Sequence, residues 1–416
     1  MSAELQAASR VSFSFAIVLL LGMGMATFGA LALGVLASFI IDEFAITREQ
    51  LGYVVSVNVV AAALVSPLAG RLTDRLGSKR AFLSVFLLAA MSFVAFAAAP
   101  VAWVMLVGSL LAAGAQAAAN PATNKLIALH VPDGSRGVIT GVKQSGAELG
   151  LLLGGVSLPA AATRFGWRYA LAAVAVLALG ALVVAVTVVP SRGAEEVFEP
   201  FRWRSQFPLA IWWLTGYGFL MGLCGAVTFF VPLFVEEGLG HRPELGGLAV
   251  AVMGLTAFVA RIAWARASER IARHAAALGL IAALAVAGTL CLLLSTSSLP
   301  VLWIGVVLVG MSANAWNSVG MLAIMAEVGP RQVGSASGIV LFGFLAGLGV
   351  GPPLYGRTVD HTGSYDLMWV ISLGACLAAA VLVVVWLCAS RNTEGAVATD
   401  VPMERRPSGE IDVVEK

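Results

Sequence analysis

Charge is what this chain has least of. Asp, Glu, Lys and Arg supply 12% of its 416 residues, whereas a soluble domain carries roughly 25% to keep its surface in water. Lysine is the scarcest of the four, found only at Lys79, Lys125, Lys143 and Lys416. With four histidines and four cysteines, no paired Cys/His site forms, and neither a phosphate-binding P-loop nor an HExxH pair occurs. An ATP-driven pump and a zinc-dependent membrane protease are therefore poorly supported, and no metal or cofactor is expected. Cys224, Cys291, Cys376 and Cys388 all fall inside apolar runs, where they read as small packing residues with no disulfide implied. The formal net charge of +2 offers nothing to a nucleic acid.

Apolar length takes the place of charge. Hydrophobic residues make up 59% of the chain, and the mean hydropathy is +0.93. About twelve runs reach the roughly 20 residues needed to cross the hydrocarbon core: 12–40, 50–70, 81–99, 101–128, 136–160, 168–190, 207–234, 244–264, 275–295, 300–326, 335–356 and 367–389. The first is too long, and lacks the cleavage site, to read as a removed signal peptide. The 45 glycines fit helices packed closely through small side chains. The predicted class is an all-α integral membrane protein. Arg71, Arg75, Lys79, Arg80, Arg136, Arg192, Arg202, Arg204, Arg266, Arg270 and Arg273 gather on one side, and Asp42, Glu43, Glu236 and Glu237 on the other. The positive-inside rule then places both termini in the cytoplasm of a multi-pass plasma (inner) membrane protein.

The chain also repeats. Gly70-Arg71-Leu72-Thr73-Asp74-Arg75-Leu76-Gly77-Ser78-Lys79-Arg80, read as a charged turn, has an echo in Ala265–His274, where Arg266, Glu269 and Arg270 recur. A shift of about 197 positions superposes Gly137, Gly141, Gly146, Gly150, Gly154 and Gly166 on later glycines, and Asn120 on Asn317. The polar stretch 191–206 divides the runs six and six. The expected domains are a six-helix bundle over 1–190, a cytoplasmic linker over 191–206, a second bundle over 207–390 and a disordered tail over 391–416. Parallel repeats of this kind place a site between the halves at mid-depth.

At this point the chain resembles the major facilitator superfamily over nearly its whole length. Gly70, Leu72, Asp74, Arg75, Gly77 and Lys79 match the signature between the family's second and third helices, with Ser78 at a commonly basic position. The resemblance implies twelve transmembrane helices in two pseudo-symmetric bundles and transport by alternating access. It also implies that Gly70, Asp74 and Arg75, with Arg266, Glu269 and Arg270, latch the halves together on the cytoplasmic side. Positive-inside topology alone accounts for Lys79 and Arg80 but not for an acid among the bases. Helix 5 is similar to the antiporter signature of drug exporters, yet Leu151 stands where that motif has proline.

Ionisable groups within the membrane cost roughly 2.5–3.5 kcal/mol each on insertion scales, so each calls for a reason. Lys143 lies about 10 Å into the fifth run at 1.5 Å per residue, too deep to snorkel easily; Lys125 is shallower and can. Glu148 is the deepest carboxylate, five residues on and about 140° round the helix from Lys143, while Gln144 shares its face. It reads as a proton-coupling group or as a structural hydrogen bond between helices. Arg261 either reaches an anion from the opposite half or extends the latch. Asn120 and Asn124 in the fourth run, and Asn314, Trp316 and Asn317 in the tenth, outline the same depth, with interhelical hydrogen bonding as the alternative role. The expected protein is a monomeric, non-enzymatic secondary transporter of a small organic anion, coupled to protons through Glu148. Asn120, Lys143, Gln144, Arg261, Trp316 and Asn317 would bind the anion. Proton-driven efflux of an amphipathic compound, and a membrane sensor that transports nothing, are the competing readings.

Overall fold

The computed structural model describes residues 13–190, 207–270, 274–328 and 333–399. The first half runs α1 Phe13–Val35, α2 Ala37–Phe44, α3 Arg48–Leu76, α4 Ser78–Ala98, α5 Met105–His130, α6 Asp133–Gln144, α7 Gly146–Phe165 and α8 Trp167–Val188. The second runs α9 Leu209–Gly225, α10 Pro243–Arg270, α11 His274–Leu294, α12 Leu299–Met311, α13 Asn317–Glu327, α14 Val333–Thr362 and α15 Asp366–Thr399. Among the described residues, eleven spans are long and apolar enough to cross a membrane, and the shorter α12 supplies a twelfth. Helices dominate because the hydrocarbon region offers no water to pair an exposed N–H or C=O.

Several boundaries differ from those expected. Gly70–Leu76 is not a turn but the last two turns of α3, so the bend is confined to Gly77. Gly77 has φ +83°, a conformation open to glycine at little cost. The matching joint at 271–273 lies outside the described residues, as does the linker 191–206. The fifth run divides at Ser145 into α6 and α7, and the tenth breaks outright between Met311 and Asn317. α15 continues to Thr399, past the 391 boundary drawn for the tail, and 400–416 are again outside the described residues.

The repeated glycines have the same task in both halves. A Cβ on Gly146 would strike the carbonyl of Leu20, and one on Gly24 would stand 2.9 Å from the carbonyl oxygen of Gly146, so α1 and α7 cross backbone to backbone. In the second half a Cβ on Gly343 would come within 2.6 Å of the carbonyl oxygen of Thr215, and one on Gly347 would strike that of Phe219, which joins α14 to α9 in the same way. Deeper in the second half the free thiols of Cys224 and Cys376 lie 2.6 Å apart.

The halves meet mainly near Arg48. A Cβ on Gly52 would lie 2.6 Å from the Pro352 carbonyl oxygen, and one on Gly34 2.9 Å from Phe229 Cα. Gly155 and Gly247 would each strike the other's carbonyl. Toward Gly77 three described glycines make no such contact: a Cβ on Gly70 of α3, on Gly141 of α6 or on Gly338 of α14 would have no atom within 4 Å.

These contacts separate two otherwise similar substitutions. Gly347→Ala should lower stability by about 1–3 kcal/mol, since backbone must move to admit the methyl. Gly180→Ala, with open space around it, should raise stability by roughly 0.5–1 kcal/mol through helix propensity. Thermal unfolding of the two purified variants in the same detergent checks both signs.

Candidate functional site

Two polar clusters occupy the middle of the molecule. The first is built on Lys143, whose side chain is wholly buried at the end of α6. Its ammonium donates to Asn120 Oδ1 at 3.3 Å, Thr123 Oγ1 at 2.9 Å and Asn124 Oδ1 at 2.5 Å, all on α5. The three donors of the ammonium are thus used, and every acceptor is a neutral oxygen. Gln144 Nε2 donates to the same Asn120 oxygen at 3.5 Å. The α-helical i, i+3, i+4 spacing of Asn120, Thr123 and Asn124 puts all three on one face. Thr123 escaped the sequence reading, although its place between two asparagines on that face was the available signal.

The second cluster joins the halves. Glu148 Oε1 pairs with Arg261 Nη2 at 2.5 Å, with the glutamate side chain 3% exposed and the arginine 20%. Arg261 Nη2 also donates to the backbone carbonyl of Asn314 at 3.2 Å. Glu148 Oε2 and Arg261 Nε are buried with no hydrogen-bond partner, so each ion keeps one group free. The break between α12 and α13 makes this possible. It releases backbone carbonyls from helical bonding, and α10 satisfies two of them: Trp264 Nε1 donates to Met311 O at 2.8 Å, and Arg261 to Asn314 O.

Charges at this depth therefore sort themselves. Arg261 and Glu148 neutralise each other, whereas Lys143 is held by neutral dipoles. A site that holds such a charge away from water favours an anion beside it.

The remaining expected residues are dispersed. Trp316 is buried in the second half, its ring centroid 5.6 Å from both Tyr217 and Phe344, and does not join the Lys143 cage. Asn317 is exposed at the start of α13, while its neighbour Asn314 donates from Nδ2 to Thr228 Oγ1 at 3.3 Å. Among the expected latch residues, Gly70 and Arg75 lie in the last turns of α3 and Arg266 near the end of α10, and both arginines are exposed. The side chains of Asp74, Glu269 and Arg270 lie outside the described residues.

A third cluster, at the Arg48 end, was not foreseen. Arg48 of α3 pairs across the halves with Glu237 at 2.8 Å and with Asp360 of α14 at 3.1 Å. Tyr365 donates its hydroxyl to Glu237, and burial first, then the Glu237 charge, pushes that phenol well above its ordinary range. A cleft of about 510 Å³ opens beside the cluster.

Comparison with known proteins bears on the family and the fold. The sequence profile described as Major Facilitator Superfamily matches twice, over residues 18–242 and 213–411. A probable sulfoacetate transporter of Cupriavidus necator is 25% identical over 380 residues, spanning 83% of this chain and 86% of its own. The hexuronate transporter of Bacillus subtilis is 23% identical over 378 residues, spanning 85% and 89%. Among solved structures, a bacterial homolog of the human lysosomal transporter Spinster, inward-facing and occupied, superposes with a TM-score of 0.68 at 17% identity, covering 94% of this chain and 98% of that one.

Because the Glu148–Arg261 pair is buried, removing one member should cost more than removing both. Glu148→Gln or Arg261→Met alone should each destabilise by about 3–5 kcal/mol, and the double variant should recover much of that loss. A double-mutant cycle on thermal or denaturant unfolding measures the coupling.

Proposed function

The chain belongs to the Major Facilitator Superfamily and is a multi-pass membrane transporter, and on that premise we propose that its cargo is a small organic anion of the carboxylate type, moved together with a proton. The observation that carries this reading is the Lys143 cage, a buried cation whose partners are all neutral oxygens. Sulfoacetate and hexuronate, named for two relatives, both bear a carboxylate at neutral pH, which supports the same class here.

The geometry suggests how binding and proton uptake are linked. Backbone contact between the halves extends from the Arg48 end down to the level where a Cβ on Gly254 would lie 2.8 Å from the Glu148 carbonyl oxygen. The Glu148–Arg261 pair therefore stands at the lower edge of these contacts, and in this reading the substrate reaches it from the Gly77 end. An anion entering there displaces one of the neutral oxygens now held by the buried Lys143 ammonium, beside Asn120 and Gln144, and meets Arg261 from the other half. Arg261 Nε, unpartnered in its absence, is free to donate to it. As the anion draws Arg261 away, Glu148 loses its counter-ion in a site of low dielectric, and a proton becomes the cheapest replacement. Reversal of the rocking motion then releases anion and proton on the other side. In the opposite state Gly70, Asp74 and Arg75, with Arg266, Glu269 and Arg270, close the Gly77 end, which faces the cytoplasm of the inner membrane. The protein works as a monomer in this reading.

Proteoliposomes holding the purified protein test it directly. Under an imposed pH gradient, labelled carboxylates should accumulate and their neutral amides should not. Lys143→Ala should raise the KM for the anion by about ten- to a hundredfold, the worth of a hydrogen bond to a charged group, while Lys143→Arg keeps part of the affinity. Glu148→Gln should abolish accumulation driven by the pH gradient yet retain exchange of labelled for unlabelled anion. Equal transport of amide and acid, or an unchanged KM in Lys143→Ala, would overturn the reading.

A further inference from the structure

We infer that Asp360 is the gate residue at the Arg48 end, acting as a cap supplied by one half to a helix of the other, and that its segment is the mirror counterpart of the Gly70–Gly77 signature.

The backbone accounting at the start of α3 is the basis. A helix begins with N–H groups that have no partner of their own. Here Arg48 N donates to Asp360 Oδ1 at 3.2 Å and Glu49 N to Asp360 Oδ2 at 2.8 Å. The next amide, of Gln50, donates to Thr47 Oγ1 at 3.1 Å, and that of Leu51 closes the first helical turn onto Thr47 O at 3.1 Å. Two of the initial donors of α3 are thus satisfied by a carboxylate 311 and 312 residues away. The Arg48 guanidinium adds a charged bond to the same Oδ1 at 3.1 Å and a second to Glu237 at 2.8 Å. A carboxylate at a helix N-terminus also opposes the positive end of the helix dipole.

The approach needs a glycine. A Cβ on Gly356, one turn before Asp360 on the same face, would lie 2.5 Å from Arg48 C and 2.6 Å from Glu49 N. Gly356 lets the first turn of α3 rest on α14, and Asp360 caps it.

The same unit occurs in the signature. Gly70-Arg71-Leu72-Thr73-Asp74-Arg75-Leu76-Gly77 and Gly356-Arg357-Thr358-Val359-Asp360-His361-Thr362-Gly363 share Gly, Arg, Asp and Gly at identical spacing. Each occupies the last turns of a long helix, α3 or α14, and each ends on a glycine of positive φ, +83° at Gly77 and +65° at Gly363. The two helices run antiparallel across the interface, so α14 ends where α3 begins, and α3 ends level with the start of α14. One arrangement is engaged at the Arg48 end; its twofold counterpart would place Asp74 at the first turn of α14 when the Gly77 end closes. That second half of the inference rests on the latch reading above, whereas the Asp360 half rests on contacts present in the structure.

Distances between spin labels on the full-length protein in lipid nanodiscs test it without any substrate, so the outcome is independent of the cargo. Trp103→Cys and Leu299→Cys, both exposed near the Arg48 end, carry the labels in a Cys291→Ser, Cys388→Ser background. The parent should populate mainly the short distance. Asp360→Ala should shift the ratio of closed to open by about tenfold toward open, the scale of a lost cap with its charged bond. Asp360→Asn, which keeps an accepting oxygen, should shift it less, and Asp74→Asn should shift it the opposite way. Opposite signs distinguish two gates from general loosening of the fold. An unchanged distribution in Asp360→Ala overturns the gate assignment; a shift toward open in Asp74→Asn overturns the mirror relation.

Discussion

Everything in this molecule answers to one constraint: within the bilayer a backbone N–H or C=O has only protein to bond with. Unbroken helices meet it internally. Where a helix breaks, side chains from a neighbour must meet it instead, and those side chains are then fixed in place. The gap between α12 and α13 shows the sequence of causes. Its carbonyls bind Trp264 and Arg261, and the arginine held there is the one that reaches Glu148 in the other half. A local interruption in one helix thereby sets the electrostatics of the interface.

The same constraint explains why so few charges suffice. Three cations occupy distinct settings: Lys143 among neutral oxygens, Arg261 against Glu148, and Arg48 between two carboxylates at the rim. Their roles follow from what surrounds them more than from residue type. In the proposed function the caged lysine attracts the anion, and the matched pair yields only when that competitor arrives. At the rim, water and salt screen the charges, and Arg48 gains its hold chiefly from geometry shared with backbone amides.

Much of this was legible in the sequence, for identifiable reasons. Apolar run length is a local property, so the membrane spans could be read directly. Lys143 and Asn120 stood out because a polar group at that depth is costly wherever it points. The break at residues 312–316 could not be read, because its apolar flanks continue the run and the compensating donors come from α10. Arg261 was left between two roles for the same reason, since the choice depends on which residue of the other half it meets. Reading Gly70–Leu76 as a turn followed from its charge, yet charged residues extend a helix readily once it emerges from lipid. Asp360 was not singled out, because the amides it serves lie more than three hundred positions earlier.

The glycine contacts between the halves have a consequence for motion. Where Gly52 meets Pro352 and Gly155 meets Gly247, peptide planes rest on one another with no flexible side chain between them. Dispersion across such a seam is short in range, and a gap of about 0.5–1 Å already forfeits a quarter to a half of each contact. No elastic layer exists to share a partial displacement, so the seam is either seated or parted, and the population of half-parted molecules should be small. The smallest residue in the chain thus makes the interface behave as a two-position switch.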